Sequence, residues 1–222
     1  MTPSFQFNKM GIKDETVMWK DILKVLSREK GYVMRIGTGY LNLVRFFRKG
    51  LAKVKHSKIC FICPAPESNT FIHAKGIKLL MPPAIRMNIF NYAREMGPNV
   101  KFFEYKRRLN LDNDQSIWDI CTFHMKGIWL TQGGERGPQD TVIGSSNYNF
   151  RSFHHDTEIS YYISTQDKEF MELMRDEVRL LYKYANDDIS QGTRNGLYKS
   201  MLSLPHANWK TFVLYKAFHL FI

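Results

Sequence analysis

The sequence predicts an α/β protein, a mixed β-sheet flanked by helices, and three observations carry that expectation. Short runs rich in Val, Ile, Phe, Tyr and Thr alternate with longer stretches whose apolar residues recur at helical spacing. Glycine and proline mark many of the joins between them. With 44% hydrophobic and 14% aromatic residues, the 222-residue chain has enough apolar side chains for one domain of ordinary size.

Taken in order, Asp14 to Glu29 sets Val17, Ile22, Val25 and Leu26 near helical spacing and opens on acidic residues, which suit the positive end of a helix dipole. Gly31 ends that helix, Tyr32 to Ile36 reads as a strand, and Gly37-Thr38-Gly39-Tyr40 turns into a second helix with Leu41, Val44, Phe47, Leu51 and Val54 on one face. Lys58 to Cys63 is a second strand. Pro82 to Met96 forms a helix with proline at its start and Gly97-Pro98 beyond its end, and Val100 to Tyr105 is a third strand. Three more strands, Thr122 to Leu130, Thr141 to Gly144 and Glu158 to Ser164, precede a long helix from about Asp167 to Tyr184. No internal repeat appears. Asp187 to Asn195, rich in Asp, Ser, Gly and Asn, is the expected hinge between a unit spanning 1–186 and a partly apolar tail, 187–222.

Thirty-two Lys and Arg against 21 Asp and Glu give a net charge of +11, so the surface attracts phosphate groups of lipid or nucleic acid. Arg45, Arg48, Lys49, Lys53, Lys55 and Lys58 follow one another with no acid between them, either as a solvated helix face or as a contact surface for an anionic partner. An odd number of cysteines, two of them inside the apolar run Ile59 to Cys63, argues against a disulfide framework. Cys60 and Cys63 have zinc-knuckle spacing with no second pair, so buried thiols are expected rather than a metal site. No stretch approaches the roughly 20 apolar residues that span a bilayer, and Met1 to Phe5 lacks a secretory pattern. A soluble or peripheral protein is expected, its apolar end from Phe212 to Ile222 packed on the domain or laid at a membrane surface.

The chemistry gathers around Phe123-His124-Met125-Lys126-Gly127. In a strand, alternation puts the His124 and Lys126 side chains on one face, where both can reach one phosphate. A later strand ends in Gly144-Ser145-Ser146-Asn147, whose small residues allow close backbone approach and whose Asn147 amide can donate to a phosphate oxygen. Asp156 and Glu158 follow at the start of the next strand.

These residues resemble the phospholipase D superfamily, whose motif is His-x-Lys, usually an Asp five residues after the Lys, then Gly-Ser-x-Asn and a later carboxylate. His124, Lys126, Gly144, Ser145, Asn147 and Glu158 match in order, whereas Thr131 stands at the Asp position and Gln132 to Pro138 lengthens the spacing. The finer pattern, Thr122 to Leu130 followed by Ile143 to Ser152, is similar to the second catalytic motif of the eukaryotic phosphatidylglycerophosphate synthases. Thr38 to Leu43, Ala74-Lys75-Gly76, Tyr105 to Arg108 and His155 to Glu158 extend the resemblance over most of residues 5–185. A second His-x-Lys, His73-Ala74-Lys75, has Leu80 at the Asp position and no Gly-Ser-x-Asn at a usable distance, and reads as a decoy.

The resemblance implies a phospholipase-D-like catalytic half and transfer of a phosphatidyl group from CDP-diacylglycerol to glycerol 3-phosphate, with CMP released through a phosphohistidine intermediate. It needs no cofactor. One imidazole attacks phosphorus, a second protonates the leaving group, and His124 takes the acid and then the base role if the first motif's histidine is the nucleophile. Lys126 and Asn147 form an electrostatic clamp, Glu158 orients His124, and Ser145, Arg107, Arg108 and Arg151 are phosphate-binding candidates. Metal coordination by His154 and His155 is not expected, because lysine charge replaces the metal. The superfamily builds its pocket from two such motifs and this chain supplies one, so a fragment missing an N-terminal half and a twofold homodimer both stand as expectations. The family also implies mitochondrial residence and an anionic membrane surface. The rivals are a superfamily nuclease or DNA-end phosphodiesterase, with the nucleic acid it requires disfavoured as a partner, and a catalytically dead half-domain.

Overall fold

A computed structural model describes residues 1–106, 121–133 and 137–185, together with Ile189, Lys210 and Val213. Arg107, Arg108 and nearly all of the expected hinge and tail lie outside the described residues. The strands are β1 (Thr2–Phe7), β2 (Ile12–Lys13), β3 (Tyr32–Thr38), β4 (Lys58–Pro64), β5 (Val100–Tyr105), β6 (Lys126–Gln132), β7 (Asp140–Gly144) and β8 (Glu158–Ser164). The helices are α1 (Asp14–Arg28), α2 (Arg45–Leu51), α3 (Met81–Met96), α4 (Phe150–His154) and α5 (Lys168–Lys183).

All eight strands form one mixed sheet in the order β2-β1-β8-β7-β6-β3-β4-β5. The run β3-β4-β5 is parallel, since α2 and α3 carry the chain back across the sheet between those strands. Every other pair is antiparallel. The expected α/β class, a mixed sheet with flanking helices, is therefore the observed one.

Two apolar layers hold the sheet. On one side Trp19 and Leu26 of α1, Phe47 of α2 and Ile85 of α3 pack against Met34, Ile36, Ile128 and Val142. On the other, α5 lays Met171, Met174, Val178 and Leu181 over Ile62, Phe123 and Trp129. Asp167 caps α5 by accepting from the Phe170 N–H (2.8 Å). Glu177 accepts from the Trp129 indole N–H (3.1 Å), which fixes the helix over β6.

Four local expectations need correction, each because tertiary contacts outweigh local pattern. The buried face of α1 is Glu15, Trp19, Ile22, Leu23 and Leu26, while Val17 and Val25 are exposed. The second helix is confined to Arg45–Leu51, because residues 43 and 44 bond across to the loop after β7: Leu43 bridges Asn149 and the Val44 N–H donates to Tyr148 (2.9 Å). Strand β6 begins at Lys126, not Thr122, and His124 precedes it in an irregular segment held by the Phe123 N–H on the Ser68 carbonyl (2.8 Å). Strand β1, absent from the sequence reading, carries an inverted pattern in which Ser4 and Gln6 face inward and Phe5 faces out.

Part of the basic run has a structural use. Arg48 pairs with Glu95 of α3 (3.1 Å) and stands over the Tyr92 ring, tying α2 to α3. Lys49, Lys53, Lys55 and Lys58 are exposed. A different surface is apolar: Phe5, Ile143, Ile159 and Tyr161 are each more than a third exposed, and the strand register makes Phe5 the neighbour of Ile159 and Ile143 the neighbour of Tyr161. Ile143 pairs with Gly127, two residues from Trp129, so this open surface continues the sheet face that α5 covers further along.

Candidate active site

Four strand ends meet at one edge of the sheet: the end of β3, the start of β6, the end of β7 and the start of β8. Antiparallel pairing dictates this, since Thr38 pairs with Lys126, Gly127 with Ile143 and Gly144 with Ser160. The segments running off these ends carry Gly39 and Tyr40, His124, and Ser145 to Asn149.

His124 and Lys126 do come together, although only Lys126 lies in the strand. The Lys126 ammonium is 3.2 Å from both Nδ1 and Nε2 of His124 and 3.3 Å from its carbonyl oxygen. A nitrogen equidistant from both ring nitrogens would collide with the ring if it lay in the ring plane. The ammonium therefore stands over the ring face and leaves the in-plane lone pair of the imidazole to a substrate. Partial burial, then the charge of Lys126, pushes the His124 pKa below its ordinary 6.5, so the ring is neutral at pH 7. Lys126 is itself lowered below 10.5 by burial, which the negative charge of Glu158 opposes.

Sequence reasoning did not assign the groups that seat His124. The Gly39 N–H donates to the Met125 carbonyl (3.0 Å), and a Cβ on Gly39 would stand 3.0 Å from His124 Cδ2 and 3.2 Å from its Cα. The Tyr40 ring meets the His124 ring edge-on at 5.1 Å and is tethered through its hydroxyl to Thr70 Oγ1 (2.9 Å). A signal was present in Gly37-Thr38-Gly39, where small residues end a strand and permit another segment to come close.

Glu158 is buried at 5% exposure and accepts a hydrogen bond from Ser145 Oγ. Ser145 in turn donates its N–H to the Ile159 carbonyl (3.0 Å) and accepts from the Ile159 N–H at Oγ (3.1 Å). The expected orienting contact is thus placed differently: Glu158 bonds Ser145, while His124 is held by Gly39, Tyr40 and Lys126. Close approach of β7 to β8 depends on Gly144, where a Cβ would lie 2.3 Å from Ser160 Oγ and 2.5 Å from the Ile159 carbonyl oxygen.

Asn147 is fixed through its backbone. Its N–H donates to Ser152 Oγ (3.1 Å), its carbonyl accepts from Thr38 Oγ1 (3.5 Å), and Thr38 lies across from Lys126. The side-chain oxygen Oδ1 is buried with no partner among the described residues. Tyr148 then takes φ 59°, a left-handed conformation that costs a non-glycine residue energy. Its ring is wedged against Trp19 (5.5 Å) and Phe47 (6.1 Å), which holds the loop in that shape.

Of the other candidates, Arg151 lies on the surface in a 3.0 Å pair with Asp156. His154 Nδ1 is 3.4 Å from Asn8 Nδ2, and its ring packs on Phe150. His73-Ala74-Lys75 lies outside any strand, in a turn closed by the Ala74 N–H on the Phe71 carbonyl (3.0 Å).

No protein-family model matches the chain. A curated relative from Bos taurus, the mitochondrial CDP-diacylglycerol–glycerol-3-phosphate 3-phosphatidyltransferase, is 29% identical over 188 residues, which cover 82% of this chain and 31% of the relative. The chain thus spans about a third of the length of the curated relatives it matches. The phosphatidylserine synthase of Haemophilus influenzae superposes with a TM-score of 0.69 at 14% identity, over 99% of this chain and 45% of that one. Nuc from Salmonella typhimurium, a phospholipase D family member, gives 0.50 at 11% identity over 83% of this chain and 96% of its own. By fold the chain is phospholipase-D-like, and by sequence it is similar to the CDP-diacylglycerol–glycerol-3-phosphate 3-phosphatidyltransferases.

Proposed function

We propose that the chain carries one catalytic half of a phosphatidyltransferase that moves a phosphatidyl group from CDP-diacylglycerol to glycerol 3-phosphate and releases CMP. The observation that carries this reading is a neutral imidazole at a sheet end with an ammonium over its face, beside the loop that holds Asn147. In the first step a histidine attacks the phosphorus bearing the diacylglycerol, the bond to CMP breaks, and a second histidine gives CMP a proton. In the second, the acid now acts as base on a glycerol 3-phosphate hydroxyl, which attacks the phosphohistidine. With its ring neutral and its lone pair free, His124 suits the attacking role, and the imidazolium that protonates CMP is the other histidine. Lys126 and the Asn147 carboxamide stabilise charge on the phosphoryl oxygens, and Ser145 with Glu158 braces the loop between them.

One motif gives one histidine, so the pair is completed by another copy of the motif, from a second chain or from further sequence. The open apolar surface of Phe5, Ile143, Ile159 and Tyr161 supports a place for that other half to dock. The exposed lysines 49, 53, 55 and 58 support peripheral attachment to an anionic membrane. Mitochondrial residence is part of the same proposal, supported by relatives named mitochondrial. The test is CMP release from CDP-diacylglycerol and glycerol 3-phosphate by the wild type and by His124→Ala, with molecular size measured alongside. Release is expected from the paired species and a loss of at least about a thousandfold in the variant; equal rates remove His124 from the reaction.

A further inference from the structure

Behind the strand ends lies a carboxyl group that the transfer chemistry leaves unused. Glu15, in the first turn of α1, is completely buried at 0% exposure. Its Oε1 accepts from the Trp19 indole N–H (3.2 Å), whereas Oε2 has no hydrogen-bond partner among the described residues. The side chain faces the motif from beneath. Ser146 and Ser160 offset part of its burial without reaching hydrogen-bond geometry to Oε2, and the titratable groups against it are Glu158 of β8 and the Tyr148 phenol. Glu158 also interacts electrostatically with Lys126.

An ionised carboxylate with a bare buried oxygen beside a second carboxylate is costly, and the cost vanishes when one of the two carries a proton. Glu158 has a donor in Ser145 and a cation in Lys126, which Glu15 lacks, so the proton falls to Glu15. We propose that Glu15 is a positioning residue of this site, a proton-bearing carboxyl group that leaves Glu158 the single negative charge behind Ser145 and Lys126. The inference rests on the transfer reading for its role, while its physical content is the protonation of Glu15. Burial and the neighbouring Glu158 charge raise its pKa to about 7, so it releases that proton just above neutrality. A second charge then arises next to Glu158, and the electrostatics around Ser145 and Lys126 change.

Infrared spectroscopy of the whole chain, carboxyl-labelled at glutamate, tests this across pH in the wild type, Glu15→Gln and Glu158→Gln. Buried Glu104, also raised to about 7, gives a similar signal, so the assignment rests on the wild type minus Glu15→Gln difference. The expected result is a carboxylic-acid band in that difference, fading with a midpoint near 7, whose midpoint falls in Glu158→Gln. CMP release by the wild type is expected to decline above neutrality, and Glu15→Gln is expected to lose that decline. A missing difference band, a midpoint indifferent to Glu158→Gln, or an unchanged alkaline decline overturns the proposal. Should Glu15→Gln fail to fold, the wild-type band and its response to Glu158→Gln decide alone. A paired species that shows the coupled band but releases no CMP refutes the transfer reading and leaves the protonation of Glu15 standing.

Discussion

Replacing Gly144 by alanine tests whether the site depends on the contact between β7 and β8. The added methyl would sit 2.3 Å from Ser160 Oγ, 2.5 Å from the Ile159 carbonyl oxygen and 2.7 Å from Ser160 Cα. Two of these are backbone atoms, so rotating a side chain gives no relief and the strands must part. Parting them strains the Ser145–Ile159 bonds at 3.0 and 3.1 Å and draws Ser145 away from Glu158. Overpacking of this kind costs about 1–3 kcal/mol, and each weakened hydrogen bond adds up to about 1 kcal/mol. A loss of about 3 kcal/mol follows, which in a chain of this size lowers Tm by roughly 10 °C. Thermal unfolding followed by circular dichroism reads the stability, and CMP release at a temperature where the variant is folded reads the site. A Gly144→Ala protein that melts with the wild type and releases CMP at the wild-type rate would refute the reasoning.

Two further outcomes concern protonation. Lys126→Met removes the charge over the His124 ring, so the His124 pKa should rise toward 6.5 while staying below it, because burial remains; histidine NMR titration checks this, and an unmoved midpoint would show that the ammonium does not act on the ring. Glu15 has a folded pKa near 7 against an ordinary 4.5, so its protonation contributes about 3 kcal/mol to stability, present in full below about 4.5 and lost as pH rises through about 7. Denaturant unfolding at a series of pH values should find that decline shallower in Glu15→Gln, and equal slopes in the two proteins would contradict it.

Neither protonation effect nor the strand contact can be separated from the scaffold around them. Trp19 shows why: it donates to Glu15, packs on the ring of Tyr148, and so connects the buried carboxyl to the strained residue that follows Asn147. Removal of one member should therefore disturb the others, and single substitutions here will not sum.

What the sequence determined by itself was most of the elements and a candidate motif. Val100–Tyr105 and Glu158–Ser164 were legible as strands because β-branched and aromatic side chains concentrate in them. His124, Lys126, Gly144, Ser145, Asn147 and Glu158 were legible as a candidate site because they follow the order of the motif they resemble. Strand β1 was not, since its inward residues are Ser4 and Gln6; that inversion makes sense only once Gln6 is seen donating to the Phe153 carbonyl and accepting from Thr16. Glu15 looked like an ordinary first-turn acid, and only the packing of α1 against β1 and α2 buried it. The tertiary structure alone decided that Glu158 would hold Ser145 while Gly39 and Tyr40 would hold His124. Such assignments depend on distances between segments far apart in the chain, which hydrogen-bond register and side-chain packing fix and local periodicity does not encode.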